Sequence, residues 1–263
     1  MTTTTHPGSA SLQQPDYWWY RARTQLLRTA LEPFLGEPSW VLDVGSADGP
    51  SVSWMRRHGR RIALDVDPRG LASERGVCGS ALALPFASEV FDVVAAFDVV
   101  EHCEPEDQAM AELARVLAPG GHLLLSVPAY QWAWTDHDVR AGHFRRYTQR
   151  RLLTAVERAG LEVRRSTYAF SAVFPFFVAE RVQRRFSRSP ASGDGGLTPV
   201  PAWLDWLLMR LSGLDRRMLK RFDLPFGSSI FLAAVKGKPG TGQMSSTAKP
   251  RMARRPPVLE VGK

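Results

Sequence analysis

Short apolar runs alternate with segments of helical periodicity through the first two thirds of the chain. The apolar runs occupy 39–45, Arg61–Asp65, Phe91–Phe97 and His122–Val127. Helical patterns lie between or after them, over Pro50–His58, Pro105–Leu117 and Gln149–Ala159. Nearly continuous Val, Ile and Leu in the runs is typical of strands buried on both faces. The pattern therefore predicts an α/β fold, a parallel sheet with helices on both sides.

Further elements flank this centre. A helical pattern begins at Asp16, a possible N-cap, and ends near Pro33, and two more strands are predicted at Leu161–Ala169 and Ser228–Val235. The expected organisation is a disordered lead (1–15), a cap helix (16–36), a main domain (37–169 with 225–236), a lid or substrate insertion (170–224) and a disordered basic tail (237–263).

Composition narrows the class of protein. The chain has 263 residues, 44% of them apolar and 23% charged, which excludes a collagen-like or largely disordered protein. The two cysteines, Cys78 and Cys103, form no CxxC motif, which argues against a disulfide framework or a structural zinc site. The first residues contain no secretory signal pattern, so we expect a cytoplasmic protein.

The formal net charge is +8, and much of the excess lies in the tail, where seven basic residues accompany one acidic residue after position 235. These basic residues are not interleaved with aromatic side chains that would stack on bases. A nucleic-acid partner is therefore not expected.

The most informative segment is a strand that ends in an acid, followed by a turn of small residues. Its residues are Asp43, Val44, Gly45, Ser46, Ala47, Asp48, Gly49 and Pro50. Small residues let the backbone approach a ligand closely, and the start of the next helix offers free N–H groups. A second acid, Asp65, ends the next strand, where a ribose diol would bind.

Several segments in the same order carry a family resemblance. They are Leu42–Gly49, Ala63–Pro68, Ala81–His102, Glu112–Pro128 and Arg150–Val163. Together they resemble the class I S-adenosylmethionine-dependent methyltransferases, in the branch with the methyltransferase type 11 domain. The resemblance implies a Rossmann-like seven-stranded sheet, mostly parallel with an antiparallel last strand. It also implies S-adenosyl-L-methionine as the cofactor.

The resemblance assigns roles to individual positions. Around the methionine part of the cofactor it places Asp43, Gly45, Ser46, Ala47 and Gly49, with Phe97 and Asp98 beneath it. Near the nucleoside it places Asp65 on the ribose hydroxyls, Val66 on the adenine face, and Ser80 and Ala81 at the adenine edge. Arg21 or Arg23 of the N-terminal helix would pair with the cofactor carboxylate.

Two positions depart from the family pattern. Ala47 stands where the family has the middle glycine of its turn, and Ser80 stands where it has an acid at the adenine edge. A hydroxyl still accepts a hydrogen bond, but more weakly than a carboxylate. These departures leave open a non-catalytic binding module of the same fold.

The loop after the fourth strand is expected to border the acceptor, because ligands of such sheets bind beyond the carboxyl ends of the strands. Candidate acceptor contacts are Trp132, Trp134, Asp138, Arg145, Arg146 and Tyr147, and candidate general bases are His102, His137 and His143. The alternative is a structural loop held by ion pairs between Asp136 or Asp138 and Arg145 or Arg146. No metal site is expected, since His137 and His143 lack helical metal-pair spacing.

The segment 203–222 has apolar residues at helical spacing together with several arginines. Such a helix either covers an apolar pocket as a lid, which we favour, or lies at a membrane surface, giving a peripheral membrane contact.

The function that these features favour is direct methyl transfer from S-adenosylmethionine to a small or amphiphilic acceptor. Natural products, quinone-like rings and lipid-linked sugars are the expected acceptor types. The alternative of a nicotinamide-dependent oxidoreductase is disfavoured, because the turn lacks the last glycine of the dinucleotide-binding fingerprint.

Overall fold

The computed structural model describes residues 14–46, 50–71, 75–186 and 200–238, and seven strands in it form one sheet. The strands are β1 (Trp40–Val44), β2 (Arg60–Asp65), β3 (Gly76–Cys78), β4 (Phe91–Phe97), β5 (Leu117–Pro128), β6 (Leu161–Ala169) and β7 (Ser229–Lys236). The α-helices are α1 (Trp18–Leu31), α2 (Glu106–Val116), α3 (Asp136–Ala141), α4 (Gln149–Arg158), α5 (Phe174–Phe186) and α6 (Ala202–Leu219). Short 3-10 helices include Pro50–Arg57, Val100–His102 and Gln131–Ala133.

The order of the strands is β3-β2-β1-β4-β5-β7-β6. The first five strands in this order are parallel, while β7 runs antiparallel to both of its neighbours. This confirms the predicted seven-stranded, mostly parallel sheet with an antiparallel last strand. From β1 the chain proceeds outward to β2, and it later crosses to β4 on the other side. Beyond the carboxyl ends of β1 and β4 the sheet therefore has the switch point at which open α/β folds bind ligands.

The core lies on both faces of the central strands. Every residue of β1 is buried, as are all residues of β7 except Lys236. Strands buried on both faces need helices on both sides, which explains why their sequences are apolar throughout rather than alternating.

Helices α1 and α6 pack side by side and run in the same direction. Near their amino-terminal ends, Arg21 of α1 donates to both oxygens of Asp205 on α6, at 2.6 and 2.5 Å. At their carboxyl ends, Arg165 of β6 donates to the carbonyl oxygens of Ala30 and Leu219, at 3.0 and 2.7 Å. The guanidinium thus neutralises the negative ends of two helix dipoles at once.

Helix α6 lies within the segment that the sequence predicts as a lid or substrate insertion. Its buried residues, which include Leu208 and Leu219, belong to the face that packs on α1. On the opposite face, Trp203 (67% exposed) and Trp206 (59%) are exposed to solvent. No helix within the described ranges has the length and apolarity needed to cross a bilayer.

Several local predictions need correction. The N-cap of α1 is Tyr17, without a side-chain hydrogen bond, and not Asp16. The segment from Pro50 is a 3-10 helix, and the three-residue β3 has too short a pattern to be recognised. Helix α5 was not predicted, and its Pro175 occupies the first turn, where proline lacks only an N–H that has no helical partner. The predicted lead and tail lie almost wholly outside the described residues.

Candidate functional site

The turn after β1 is held against β2 by backbone hydrogen bonds. Gly45 has a φ of +66°, and its N–H donates to the carbonyl of Leu64 at 2.7 Å. A Cβ added to Gly45 would overlap the side chain of Val99. The position therefore requires glycine on both conformational and steric grounds. Ala47 and Gly49, predicted in the same turn, lie outside the described residues.

Asp43 supports this turn from within the protein. Its side chain is 1% exposed, and it accepts a hydrogen bond from Arg61 at 2.6 Å. The same guanidinium nitrogen donates to the hydroxyl of Ser46 at 3.0 Å. Arg61, which the sequence did not single out, therefore links the acid at the end of β1 to the turn that follows.

The predicted nucleoside side of the site lies beyond β2. Asp65 ends that strand, and one of its oxygens accepts from the N–H of Asp67 at 2.8 Å. Val66 follows it and is 70% exposed. The hydroxyl of Ser80 accepts from the N–H of Leu82 at 3.1 Å, while Ala81 is buried.

Asp98 occupies the end of β4 in a strained conformation, with a φ of +57°. It forms an ion pair with Arg23 at 2.8 Å and accepts from the hydroxyl of Ser126 at 2.8 Å. Strain of this kind in a non-glycine residue is concentrated at functional sites. Phe97, directly before it, is buried with its ring 6.5 Å from that of Trp54.

Of the two arginines proposed for the cofactor carboxylate, Arg23 is the one near this edge of the sheet. Arg21 points to α6 instead, where Asp205 takes its guanidinium. The cofactor role predicted for Arg21 is therefore not supported by its position.

The loop after β5 is organised around Asp138, which is fully buried. Arg146 donates to its two oxygens at 2.7 and 3.0 Å, and the N–H of Thr135 donates at 2.8 Å. His143 contributes Nδ1 at 2.9 Å. Burial alone raises the pKa of Asp138, but the hydrogen bonds from His143 and Arg146 outweigh it and hold the pKa well below its usual range.

Arg145 and Tyr147 are likewise internal. Arg145 donates to the carbonyl of Cys103 at 2.6 Å and pairs with Glu104, and Tyr147 is fully buried. With Asp138 and Arg146 they were predicted to contact the acceptor, but the structure places all four inside the loop. It favours the alternative of a loop held by its own ion pairs, because a buried charge needs a partner.

The side of the loop that faces solvent is lined by aromatic side chains, which together with those of α5 form what we call the aromatic wall. Trp132 is 51% exposed and stacks on Tyr130, with ring centroids 5.7 Å apart. Phe174 and Phe177 of α5 approach Trp132 at 6.4 and 6.3 Å. Trp134 is partly buried. The phenylalanines of α5 were not among the predicted acceptor contacts, although the run at 170–177 is rich in aromatic residues.

Two imidazoles meet where the loop approaches the segment after β4. The rings of His102 and His143 lie edge to face with centroids 4.6 Å apart. Partial desolvation and the neighbouring His143 ring lower the pKa of His102, so it is neutral near pH 7. His137, the third predicted base, lies on α3 with an exposed side chain.

Comparison with known proteins agrees with this geometry. Residues 42–125 match a family model described as a methyltransferase domain. The chain is 36% identical over 128 residues to the demethylmenaquinone methyltransferase of Thermobifida fusca, covering 44% of this chain and 51% of that protein. It is 30% identical over 199 residues to an uncharacterized methyltransferase of Mycolicibacterium vanbaalenii, covering 65% of this chain and 73% of that protein.

The fold is shared more widely. The crystal structure of an S-adenosylmethionine-dependent methyltransferase from Archaeoglobus fulgidus superposes with a TM-score of 0.55 at 14% identity, covering 86% of this chain and 98% of that one. Several curated relatives are matched over about half of their length or less, as the 51% for the Thermobifida protein shows. The methyltransferase match, the extent of the Mycolicibacterium alignment and the order of the strands together place the chain in the class I S-adenosylmethionine-dependent methyltransferases.

Proposed function

We propose that the protein transfers the methyl group of S-adenosylmethionine directly to a small or amphiphilic acceptor. The observation that carries this proposal is the arrangement at the switch point between β1 and β4. There a glycine turn, an acid at the end of β2 and the strained Asp98 with its arginine all face the same edge of the sheet. A nicotinamide enzyme would need the third glycine that the turn lacks.

The residues present suit this cofactor. The backbone at Gly45 permits close approach, Asp65 is placed to accept from ribose hydroxyls, and Val66 offers exposed apolar surface that a purine would cover. Ser46, Ala47, Gly49, Ser80, Ala81, Phe97 and Asp98 complete the proposed site. We assign Asp43 to positioning the turn through Arg61, because its carboxylate is buried.

The protein contributes mainly by positioning the reactants. The acceptor atom attacks the methyl group in line with the bond that the methyl forms to the sulfonium sulfur, so the acceptor must be held close to it in a site that excludes water. For a hydroxyl acceptor a base must take the proton, and His102 or His143 is best placed to do so. A base works only when deprotonated, so the lowered pKa of His102 predicts that turnover rises with pH, with a midpoint below that of an ordinary histidine.

The aromatic wall suits an acceptor with an apolar body. Trp132, Tyr130 and the phenylalanines of α5 supply flat apolar surface, which favours a ring system over a plain sugar. One relative is named a demethylmenaquinone methyltransferase, and a quinone-like acceptor is the type we favour.

The experiment is transfer of a labelled methyl group to a demethylated quinol and to a lipid extract. We expect labelled product with wild type and with H58N, whose imidazole lies beside Glu32, next to the carboxyl end of α1. H102N or H143N should reduce turnover about 10²–10⁴-fold if it removes the base. If no labelled product forms while the cofactor binds, a non-catalytic module is the correct description.

A further inference from the structure

Three potential metal ligands converge next to the proposed acceptor site. One ligand atom from each of Glu101, His102 and His143 lies within 4.8 Å of the other two. Glu101 and His102 belong to the 3-10 helix after β4, and His143 follows α3. A hydrogen bond from the N–H of Phe144 to the carbonyl of Glu101, at 2.7 Å, fixes the two segments together.

Glu101 is unusual because it is fully buried and, among the residues that the structure describes, no other residue donates a hydrogen bond to either of its carboxylate oxygens. The nearby cations are engaged elsewhere, since Arg23 pairs with Asp98 and Arg146 with Asp138. A buried carboxylate in this position is costly unless a proton or a cation neutralises it.

The surroundings of the imidazoles resemble those of metal ligands. Nδ1 of His143 is hydrogen-bonded to Asp138, which leaves Nε2 as the nitrogen available for a ligand. Asp138 in turn is held by Arg146 and Thr135. His102 is hydrogen-bonded to backbone at Ala141 and Gly142. Metal-binding histidines usually have such a carboxylate or carbonyl on the second nitrogen, which sets the tautomer and the ring orientation.

We propose that Glu101, His102 and His143 bind one divalent transition-metal ion. Two imidazoles and one carboxylate form a mixed N/O set that suits Zn²⁺, Fe²⁺ or Co²⁺ rather than Mg²⁺ or Ca²⁺. Three protein ligands leave positions open, as catalytic sites do. The sequence did not indicate this site, because Glu101 and His102 are separated from His143 by forty residues that the fold brings together.

The inference deepens the proposed function at the same site, and rests on it only for the role of the ion. An acceptor hydroxyl bound at an open position loses its proton to solvent more readily, because the cation stabilises the resulting oxyanion. In that form the two imidazoles hold the ion, so the base role proposed above for His102 or His143 applies to the metal-free protein only.

The test measures metal binding without cofactor or acceptor, so its result is independent of methyl transfer. Untagged full-length protein is stripped with a chelator, incubated with Zn²⁺, passed through a desalting column and analysed for metal content. Titration with Co²⁺, followed by visible absorption, reports the affinity and the coordination. We expect one Zn²⁺ per chain and a Co²⁺ spectrum with bound nitrogen ligands.

The variants E101Q and H143N should each weaken Co²⁺ binding at least tenfold, whereas H58N, which removes an imidazole at a different surface, should bind like wild type. Thermal unfolding followed by circular dichroism verifies that each variant is folded. The proposal is overturned if wild type retains no metal, if E101Q and H143N bind as tightly as wild type, or if H58N weakens binding as much as they do. A folded wild-type protein that binds S-adenosylhomocysteine but no metal would overturn this inference alone.

Discussion

Gly45 is the residue whose identity the structure restricts most clearly. Its φ is positive and its missing Cβ makes room for Val99, so two separate constraints apply. Gly36 also has a positive φ, of +61°, but a Cβ there would meet no atom within 4 Å. A substitution at Gly36 therefore introduces conformational strain alone, whereas a substitution at Gly45 adds steric overlap.

We expect G36A to lower the free energy of unfolding by about 1 kcal/mol, because a non-glycine residue is strained at a positive φ. G45A should lower it further, because the side chain of Val99 must also move. G45A should in addition weaken the binding of S-adenosylhomocysteine. Urea unfolding and calorimetry measure the two effects. Equal destabilisation by both substitutions, with unchanged affinity in G45A, would show that the turn is not closely packed against a ligand site.

The polar residues of the loop after β5 show what sequence reasoning misses at the scale of single residues. Asp138, Arg145 and Arg146 looked like acceptor contacts because charged residues beyond a strand commonly bind ligands. In the structure their side chains form internal ion pairs and hydrogen bonds to the backbone. Which partners they have depends on distances in the folded chain, and these cannot be read from the sequence. Asp65, by contrast, was identified from its place at the end of a predicted strand, and Asp98 from the family resemblance.

At the scale of elements, β1, β4 and β7 could be predicted because each is a dense apolar run flanked by turn residues. Helix α5 and strand β3 could not, since the first has a proline in its first turn and the second has only three residues. The missed helix matters for the site, because its phenylalanines complete the aromatic wall. The association of α1 with α6 also escaped prediction, since it depends on Arg165 reaching both carboxyl ends.

Arg165 and its neighbour Arg164 provide a matched pair for testing that association. Arg165 is largely buried and bonds two helix ends and Asp223, whereas Arg164 is about half exposed and pairs with Glu162. R165A should destabilise the protein by about 2 kcal/mol, because hydrogen bonds from a charged group are lost and carbonyls are left unpaired. The free energy of unfolding of R164A should stay within about 0.5 kcal/mol of the wild-type value. Urea unfolding would contradict the account if the two variants were equally stable.

At the scale of the whole molecule, an exposed apolar and basic face lies along α6. Trp203, Trp206, Met218 and Phe222 are exposed, and Arg210 lies over the ring of Trp206 at 5.1 Å. A groove of about 310 Å³ at the carboxyl end of the helix is lined by residues that include Arg164, Lys220 and Arg221. Apolar and cationic groups in this arrangement suit the surface of an anionic bilayer.

We therefore propose that α6 contacts anionic membranes peripherally. The full-length protein should co-sediment with phosphatidylglycerol vesicles more than with phosphatidylcholine vesicles, and the double variant W203A/W206A should bind several-fold less. V139A, which shortens an exposed apolar side chain away from α6, should bind like wild type. Vesicle binding that does not differ between the double variant and V139A would refute the contact.

The central claim, that the switch-point edge of the sheet binds S-adenosylmethionine, is tested most directly by calorimetric titration with S-adenosylhomocysteine. Two neighbouring acids give a matched comparison: Asp65 faces the proposed ribose position, while Asp67 pairs with Arg69. We predict one site per chain for wild type and D67A, and an affinity at least tenfold lower for D65A, since a hydrogen bond to a charged group contributes about 1.5–3 kcal/mol. Absence of binding by the folded wild-type protein, or equal affinities of D65A and D67A, would contradict the account.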